Sequence, residues 1–378
     1  MHPLVGLVLT PDPRWLGLMR PLLPRVGLFV LTPETLWKPG PDGALRPNSY
    51  HREFLALRDF SGKPFAAHSV GMSPGSPDSP RRQRWLSRMA LEQEHFGFLW
   101  WTDHAGYTER EGQNLALPSA LPDTPGARDR QRQCLAQMAE IVHEVGLETS
   151  WFTSVPGTPW DEARLLSEST AGRRVLLDLH NLWAMGENLG FSVLDFVERL
   201  NLDQVIEIHV SGGRAAPNGA RLDSHDTAIP EPVLRLLEQV APRCAGLRAI
   251  TLERFEGTVE PHDVRVLAGE LDRIAEVCAA CEPGPVALGP VPSFEVDALQ
   301  PPAIPEHDEL ARGLIAKLRF ERLVNGSEEA SASFEADPAG FAGSFRRYTR
   351  EVPATAWFPN DEGRLWAAWT QGGGGLSS

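Results

Sequence analysis

Eight short, apolar, β-rich runs alternate with helical stretches over roughly the first 280 residues, and that alternation admits few folds. The runs are Leu4–Leu9, Gly27–Leu31, Phe65–His68, Phe98–Thr102, Leu147–Ser150, Arg174–Asp178, Val205–Val210 and Arg248–Glu253. Helices are expected over Pro80–Glu94, Ala127–Val145, Phe191–Leu200, Glu231–Ala241 and Asp263–Cys281. Strands separated by helices are parallel βαβ units, because a parallel neighbour needs a crossover connection. Eight of them predict a closed (β/α)8 TIM barrel.

Such a barrel carries its chemistry at the C-terminal ends of its strands. Here those ends hold Glu34, His68, Asp103 with His104, Glu148, Asp178 with His180 and Asn181, His209, and Glu253. Asp223, His225 and Asp226 lie between the last two. A single His or Asp at a strand end is ordinarily a loop residue or a helix cap. Recurrence at nearly every strand end is not ordinary. Imidazoles and carboxylates without thiolates suit iron, manganese or zinc rather than copper(I). Charged groups directly after apolar strands are costly to bury unless compensated, and a cluster of cations would compensate them together. Asp223 and His225, two residues apart, are expected on one side of an extended segment. Asp226 reads as a turn or cap ahead of the Glu231 helix. His2, His51, His95, His143, His262 and His307 read as structural or surface histidines.

The net charge of −14 argues against nucleic acid as a partner. No signal peptide or membrane-length apolar run is evident, so a soluble cytoplasmic protein is expected. The four cysteines do not form a disulfide framework, and Cys278-x-x-Cys281 lacks the second pair of a zinc site. After the barrel portion (1–282), residues 283–305 read as a linker, with Pro283-Gly-Pro285 and Pro301-Pro302. Residues 306–370 read as a small helical region, with helices over Glu306–Val324 and Phe334–Glu351. A Gly/Ser tail, 371–378, is expected to be disordered.

Leu177-Asp178-Leu-His180-Asn181, Ile206-Glu207-Ile-His209-Val-Ser-Gly-Gly213, Leu222-Asp223-Ser-His225-Asp226 and Thr251-Leu-Glu253-Arg together resemble the multinuclear non-heme iron-dependent oxidases, formerly a domain of unknown function. Thr32-Pro-Glu34, Ala67-His68-Ser-Val-Gly, Thr102-Asp103-His104 and Leu147-Glu148 extend the resemblance upstream. It implies a (β/α)8 barrel holding two or three irons, in a mixed Fe(II)/Fe(III) state, with O2 as co-substrate. It assigns His68, His104 and Glu148 to one iron, and Asp178, His209 and Glu253 to a second. Asn181, Asp223 and His225 fall to a third. Asp103 and His180 are then candidates for orienting a ligand. The resemblance also implies a ribosomally made precursor peptide as substrate, often modified at Cys, and a leader-peptide-binding partner. Phe345-Arg-Arg-Tyr348 and Trp357-Phe358-Pro359 resemble the opening helices of such partners, which would fuse part of that function here; a helical cap on the barrel is the alternative.

Four features depart from the family pattern, one being a first barrel strand without the expected Gly-Leu-Gly. Thr149 follows Glu148 where Asn is usual, Gly212-Gly213-Arg214 stands where the seventh-strand motif usually ends with another His after Gly, and His180 stands where many members have Asn. Two other readings remain: a zinc or manganese barrel acting as an isomerase or phosphodiesterase, and a non-catalytic binding or scaffold subunit.

Overall fold

In the computed structural model, residues 2–40, 44–110, 112–152, 154–255, 258–282, 287–295, 305–357 and 359–374 are described. The expected Pro283-Gly-Pro285 and Pro301-Pro302 breaks lie outside them, as do Phe358 and residues 375–378. The strands are β1 (Leu4–Leu9), β2 (Leu28–Leu31), β3 (Trp37–Pro39), β4 (Leu45–Pro47), β5 (Phe65–Ser69) and β6 (Trp101–His104). They continue as β7 (Tyr107–Arg110), β8 (Gln113–Ser119), β9 (Val145–Glu148), β10 (Arg174–Asp178), β11 (Val205–Val210) and β12 (Ala249–Leu252). The helices are α1 (Pro13–Met19), α2 (Ser49–Ser61), α3 (Pro80–Phe96), α4 (Pro125–Ala139), α5 (Pro159–Ser169), α6 (Leu179–Leu189) and α7 (Val193–Val197). Further along come α8 (Glu231–Val240), α9 (Asp263–Ala280), α10 (Pro305–Gly326), α11 (Glu328–Ala336), α12 (Pro338–Glu351) and α13 (Pro359–Trp369).

Eight strands close a parallel barrel in the order β1-β12-β11-β10-β9-β6-β5-β2, as the alternation predicts. Runs such as Leu28–Leu31 and Val205–Val210 are buried at every position, as strands covered on both faces must be. The sequence starts three of the covering helices in the same way. Ser79, Thr124 and Thr158 each accept a hydrogen bond from the backbone N–H three residues on, and each is followed by Pro. Gly97 and Gly190 end α3 and α6 in the left-handed region, at φ 63° and 73°.

The strand register sets the height of the chemistry. His104 pairs with Glu148, and Asp178 with His209, so these ligand types share a layer. Two strands differ from expectation for the same reason. The fourth barrel strand is Trp101–His104 rather than Phe98–Thr102, and the fifth is Val145–Glu148 rather than Leu147–Ser150. Their ladder runs from Trp101↔Val145 to His104↔Glu148 and stops where the acidic and imidazole side chains begin. Helix α4 stops at Ala139, short of the expected Val145, because that residue already opens β9.

Contacts divide the chain into two units, residues 1–107 with 120–299 and residues 108–119 with 300–378. In the first, residues 287–295 run past the barrel, where Gly172 (φ 72°) has no room for a Cβ beside the Gly289 carbonyl. The second gathers β8, donated by the segment after β6, with α10 to α13. Asn114 of β8 bonds the carbonyls of Ala354 and Ala356 through its backbone N–H and its Nδ2. Phe341, Phe345, Tyr348 and Trp366 form an aromatic core with Leu323 and Ala330. The single helix expected over Phe334–Glu351 is two. Asp337 caps α12 and Pro338 follows it, so α11 cannot run through. Thr370–Gly374 continue as a π-helical turn at the start of the expected tail. Among the described residues, no helix is long and apolar enough to cross a membrane.

Candidate metal centre

Every residue assigned to a metal in the sequence lies at the C-terminal end of a barrel strand, in a loop above it or, for Asn181, in the first turn of α6. His68 lies one residue before the end of β5, His104 ends β6 and Glu148 ends β9. Asp178 ends β10 and His209 lies one residue before the end of β11. Glu253 follows β12, and Asp223 and His225 descend from the loop after β11. His68, Glu148, Asp178, Asn181, His209, His225 and Glu253 are buried, whereas His104 and Asp223 are partly exposed and mark the open side.

Three groups offer ligand atoms lying within 4.8 Å of one another: His68 with Glu148 and His209, Asp178 with His225 and Glu253, and His180 with Asp223 and His225. This grouping differs from that of the resemblance in two ways. His209 sits between groups, 3.2 Å from Glu253 through Nδ1 and with the His68 ring 5.2 Å away. His180 joins Asp223 and His225, while Asn181 bridges. The Asn181 amide lies 3.4 Å from Glu148 on one side and 3.0 and 3.3 Å from the two Asp223 oxygens when rotated to donate to them. His104 attaches to the first group through Glu148, Nδ1 to Oε2 2.6 Å.

Several of these groups have lone pairs with nothing to bind. Asp178 Oδ2 and both nitrogens of His180 are buried without a hydrogen-bond partner, and Glu148 Oε2, His209 Nε2 and His225 Nδ1 make no aligned hydrogen bond, meeting instead the charged neighbours His104, Glu207 and Glu253 respectively. Asp178 performs two tasks. Its Oδ1 accepts the Asn181 N–H at 2.7 Å and caps α6, while Oδ2 faces the cluster free. Thr149, the departure after Glu148, accepts the Asp178 N–H at 2.8 Å and ties β9 to β10.

The titration behaviour is that of a negative pocket filled by protons. Burial would raise Glu148, but His104 and His68 hold it down at about 2. Burial would lower His104, but Glu148 raises it to about 9. His209 and His225 are likewise raised well above the usual imidazole range, against burial, by Glu207 and by Asp223 with Glu253. Burial and the neighbouring Glu148 push Asp178 well up. The ion pairs of Glu148, Asp223 and Glu253 among the described residues are all with imidazoles. Burying so many acids without lysine or arginine calls for cations or protons.

Two sequence expectations are corrected. Asp103 does not orient the His104 ring; its Oδ2 accepts from Ser69 Oγ at 2.6 Å and the Met72 N–H at 3.0 Å, and burial raises its pKa to about 7. Adjacent strand residues point to opposite faces, so Asp103 cannot share the side of His104. The contact to a ligand comes instead from Thr102, whose Oγ1 lies 3.0 Å from His68 Nδ1. Asp223 and His225 do converge, their side chains in contact, but not along an extended segment. His225 has φ 46°, in the left-handed region, and its ring stacks on Phe255 at 4.4 Å. Asp226 accepts from Ser224 and pairs with Arg214, a turn residue rather than the cap of α8.

Sequence reasoning missed Glu207. It is fully buried, accepts from Trp100 Nε1 at 2.7 Å and Thr251 Oγ1 at 2.5 Å, and lies 3.2 Å from His209 Nε2. The signal was present: an acid two residues before His209 shares its face of the strand. A fourth group, His51, Glu92 and His95, also has the proximity for a cation. Glu92 is however already bound by Arg88, Trp37 and His51. It is a satisfied ionic network.

Fold and donor set thus place the chain among (β/α)8 barrels with a candidate polynuclear metal centre. The chain belongs to the RiPP precursor modification enzyme family MbnB/TglH/ChrH, whose family model matches residues 45–279. It is 30% identical over 215 residues to a UPF0276 protein of Rhizorhabdus wittichii, covering 56% of this chain and 74% of that one. It is 28% identical over 269 residues to a UPF0276 protein of Bordetella bronchiseptica, covering 68% and 86%. Among solved structures it is similar to endonuclease IV from Thermus thermophilus (17% identity, TM-score 0.43, covering 71% of this chain and 98% of that one). It is also similar to a xylose isomerase domain protein from Planctomyces limnophilus (17% identity, TM-score 0.46, covering 74% and 100%).

Proposed function

We propose that this chain is an iron- and O2-dependent oxidase that modifies a side chain, often Cys in such systems, of a ribosomally synthesised precursor peptide. Membership of a family of precursor modification enzymes supports the peptide as substrate. The observation that carries the metal reading is the set of buried, partnerless ligand atoms at one barrel end. Their chemistry, nitrogen and oxygen without sulfur, fits two or three irons in a mixed Fe(II)/Fe(III) state. Bound iron supplies the one-electron and oxygen chemistry that amino acids lack.

The chain's own residues then divide the work. His68, His104, Glu148, Asp178, Asn181, His209, Asp223, His225 and Glu253 are the proposed ligands. Thr102 hydrogen-bonds the His68 ring and Glu207 pairs electrostatically with the His209 ring, so both hold ring orientations as residues behind metal-binding histidines do. Asp223, His104 and the half-exposed Phe255 edge the open side, where a peptide side chain would enter. A leader-binding partner, or the C-terminal unit serving in its place, would present the peptide. The test is anaerobic reconstitution with iron, followed by incubation with the precursor peptide, reductant and O2. The reading expects an oxygen-dependent mass change and two or three irons per chain, reduced in His209→Ala. Unaltered peptide, or zinc or manganese as the only metal, overturns it.

A further inference from the structure

Resting on the reading of this cluster as a metal centre, we propose that its third position is a 2-His-1-carboxylate site, with His180 as a ligand beside Asp223 and His225. The imidazole of His180 is fully buried and neither ring nitrogen has a hydrogen-bond partner. A buried imidazole with both nitrogens unmet is unfavourable unless something absent from the protein chain takes one of them. Nδ1 lies 3.8 Å from Asp223 Oδ1, too far for a hydrogen bond. Two atoms each held about 2.1 Å from one cation lie roughly 3.0–3.4 Å apart, a separation that a small side-chain rotation would reach. His225 completes the set, its ring edge-on to that of His180 at 5.8 Å.

The loop after β11 is shaped for this ring. A Cβ on Gly213 would fall 2.9 Å from both Cε1 and Nε2 of His180, and 2.1 Å from the Leu222 carbonyl. The ring therefore occupies space that any other residue at 213 would need. His180 and Gly213 both lie in motifs that depart from the family pattern, and the two are sterically coupled, since the ring at 180 needs a glycine at 213. The Gly213 backbone closes the Nε2 side, leaving Nδ1 facing Asp223 and His225, and Trp183 packs against the ring at 5.9 Å. Two imidazoles and one carboxylate with open positions form the donor set of mononuclear ferrous sites. The amide usual at position 180 is the weaker donor, so His180 gives the third site an imidazole that the common pattern lacks, beside the retained Asn181 amide.

The experiment titrates metal-free full-length wild type, His180→Phe and His180→Asn with Co(II), counting equivalents and following the visible ligand-field bands. The same proteins are loaded with Fe(II) anaerobically and counted for iron. His180→Phe should bind one equivalent fewer, and His180→Asn should bind that equivalent at least about tenfold more weakly. Metal-free His180→Phe should melt no lower than wild type, because a partnerless polar ring has gone. Variants that match wild type in equivalents, spectra and chelator resistance overturn the proposal. So does a His180→Phe that loses thermal stability while keeping its full metal count, which would make the ring a packing element. Loss of a Co(II) equivalent in a protein that shows no iron-dependent peptide oxidation sinks the oxidase reading alone. Full iron-dependent oxidation with an unchanged metal count in the variants sinks this inference alone.

Discussion

Replacing Glu207 by Gln tests whether the floor of the cluster governs its metal. The carboxylate is fully buried and takes hydrogen bonds from the Trp100 indole and the Thr251 hydroxyl, one on each oxygen. It also lies 3.2 Å from His209 Nε2, while Nδ1 of that ring turns to Glu253. A carboxylate in this position keeps the imidazole proton on Nε2 and leaves Nδ1 for a cation. Glutamine is nearly isosteric, but its NH2 must face either the indole N–H or the hydroxyl, and it no longer draws the ring proton electrostatically. Loss of such a partner lowers metal affinity about 10–100-fold, or about 1.4–2.7 kcal/mol. Chelator competition on iron- or cobalt-loaded Glu207→Gln reads this directly, with thermal melting of the metal-free protein as the control. An unchanged chelator midpoint beside a lowered melting temperature would refute the reasoning, leaving Glu207 as barrel packing only.

Other consequences follow from charge. His104, raised to about 9, and His209 and His225, raised well above the usual range, carry protons at pH 7 in the metal-free protein. Metal ligation needs them neutral, so binding should release protons and apparent affinity should rise with pH towards about 9. Calorimetry in buffers of different ionisation enthalpy measures the release, and proton-neutral binding would contradict the assignment. Burial, with Asp123 nearby, raises Glu162 from 4.5 to about 8, so the folded state binds its proton more tightly than the unfolded. Its contribution to stability is full below about pH 4.5 and is lost as pH rises to about 8. Glu162→Gln should therefore leave acid stability unchanged and stabilise by ~2–4 kcal/mol near pH 8 in urea unfolding; a pH-independent effect would refute this. In the C-terminal unit, Glu362 accepts from Arg319 Nε at 2.8 Å and Tyr348 Oη at 2.5 Å. Glu362→Ala should cost about 3–5 kcal/mol by stranding the buried Arg319 charge, and a near-neutral effect on the unit's unfolding would count against the network.

The barrel was legible because its strands are buried on both faces and so read as continuous apolar runs ending in charge. Arg174–Asp178 and Val205–Val210 match the structure at both ends. The hairpins β3–β4 and β7–β8 were not legible, since segments such as Trp37-Lys-Pro39, Leu45-Arg-Pro47 and Tyr107-Thr-Glu-Arg110 form neither an apolar run nor a clear alternation. Helix α6 was hidden for another reason: its first turn is the ligand motif itself, Leu179-His180-Asn181, and reads as a strand end. The membership of the cluster was visible from residue types at strand ends. Its partition was not, because which carboxylate meets which imidazole depends on loop paths, such as the left-handed turn at His225. Glu207 was overlooked because an acid inside an apolar strand looks like noise until the indole and hydroxyl that satisfy it are in place.

The choice between cap and ligand, natural for a single aspartate in a sequence, is not a choice in the fold. Asp178 spends one oxygen on the first turn of α6 and keeps the other for the cluster. Its backbone N–H is fixed by Thr149, which follows Glu148. Asn181, whose N–H it caps, turns its amide to Glu148 and Asp223. One strand–helix junction thus positions ligand atoms for all three groups using bonds that the helix needs anyway. The protein alone leaves these acids buried together, which opposes folding unless charge is neutralised. Protons on the imidazoles meet that need in the metal-free state, and cations meet it with open coordination positions. On the proposed metal reading, the junction is where barrel stability and metal chemistry would be set by the same atoms, and a loss of metal should be felt first at β9, β10 and the start of α6.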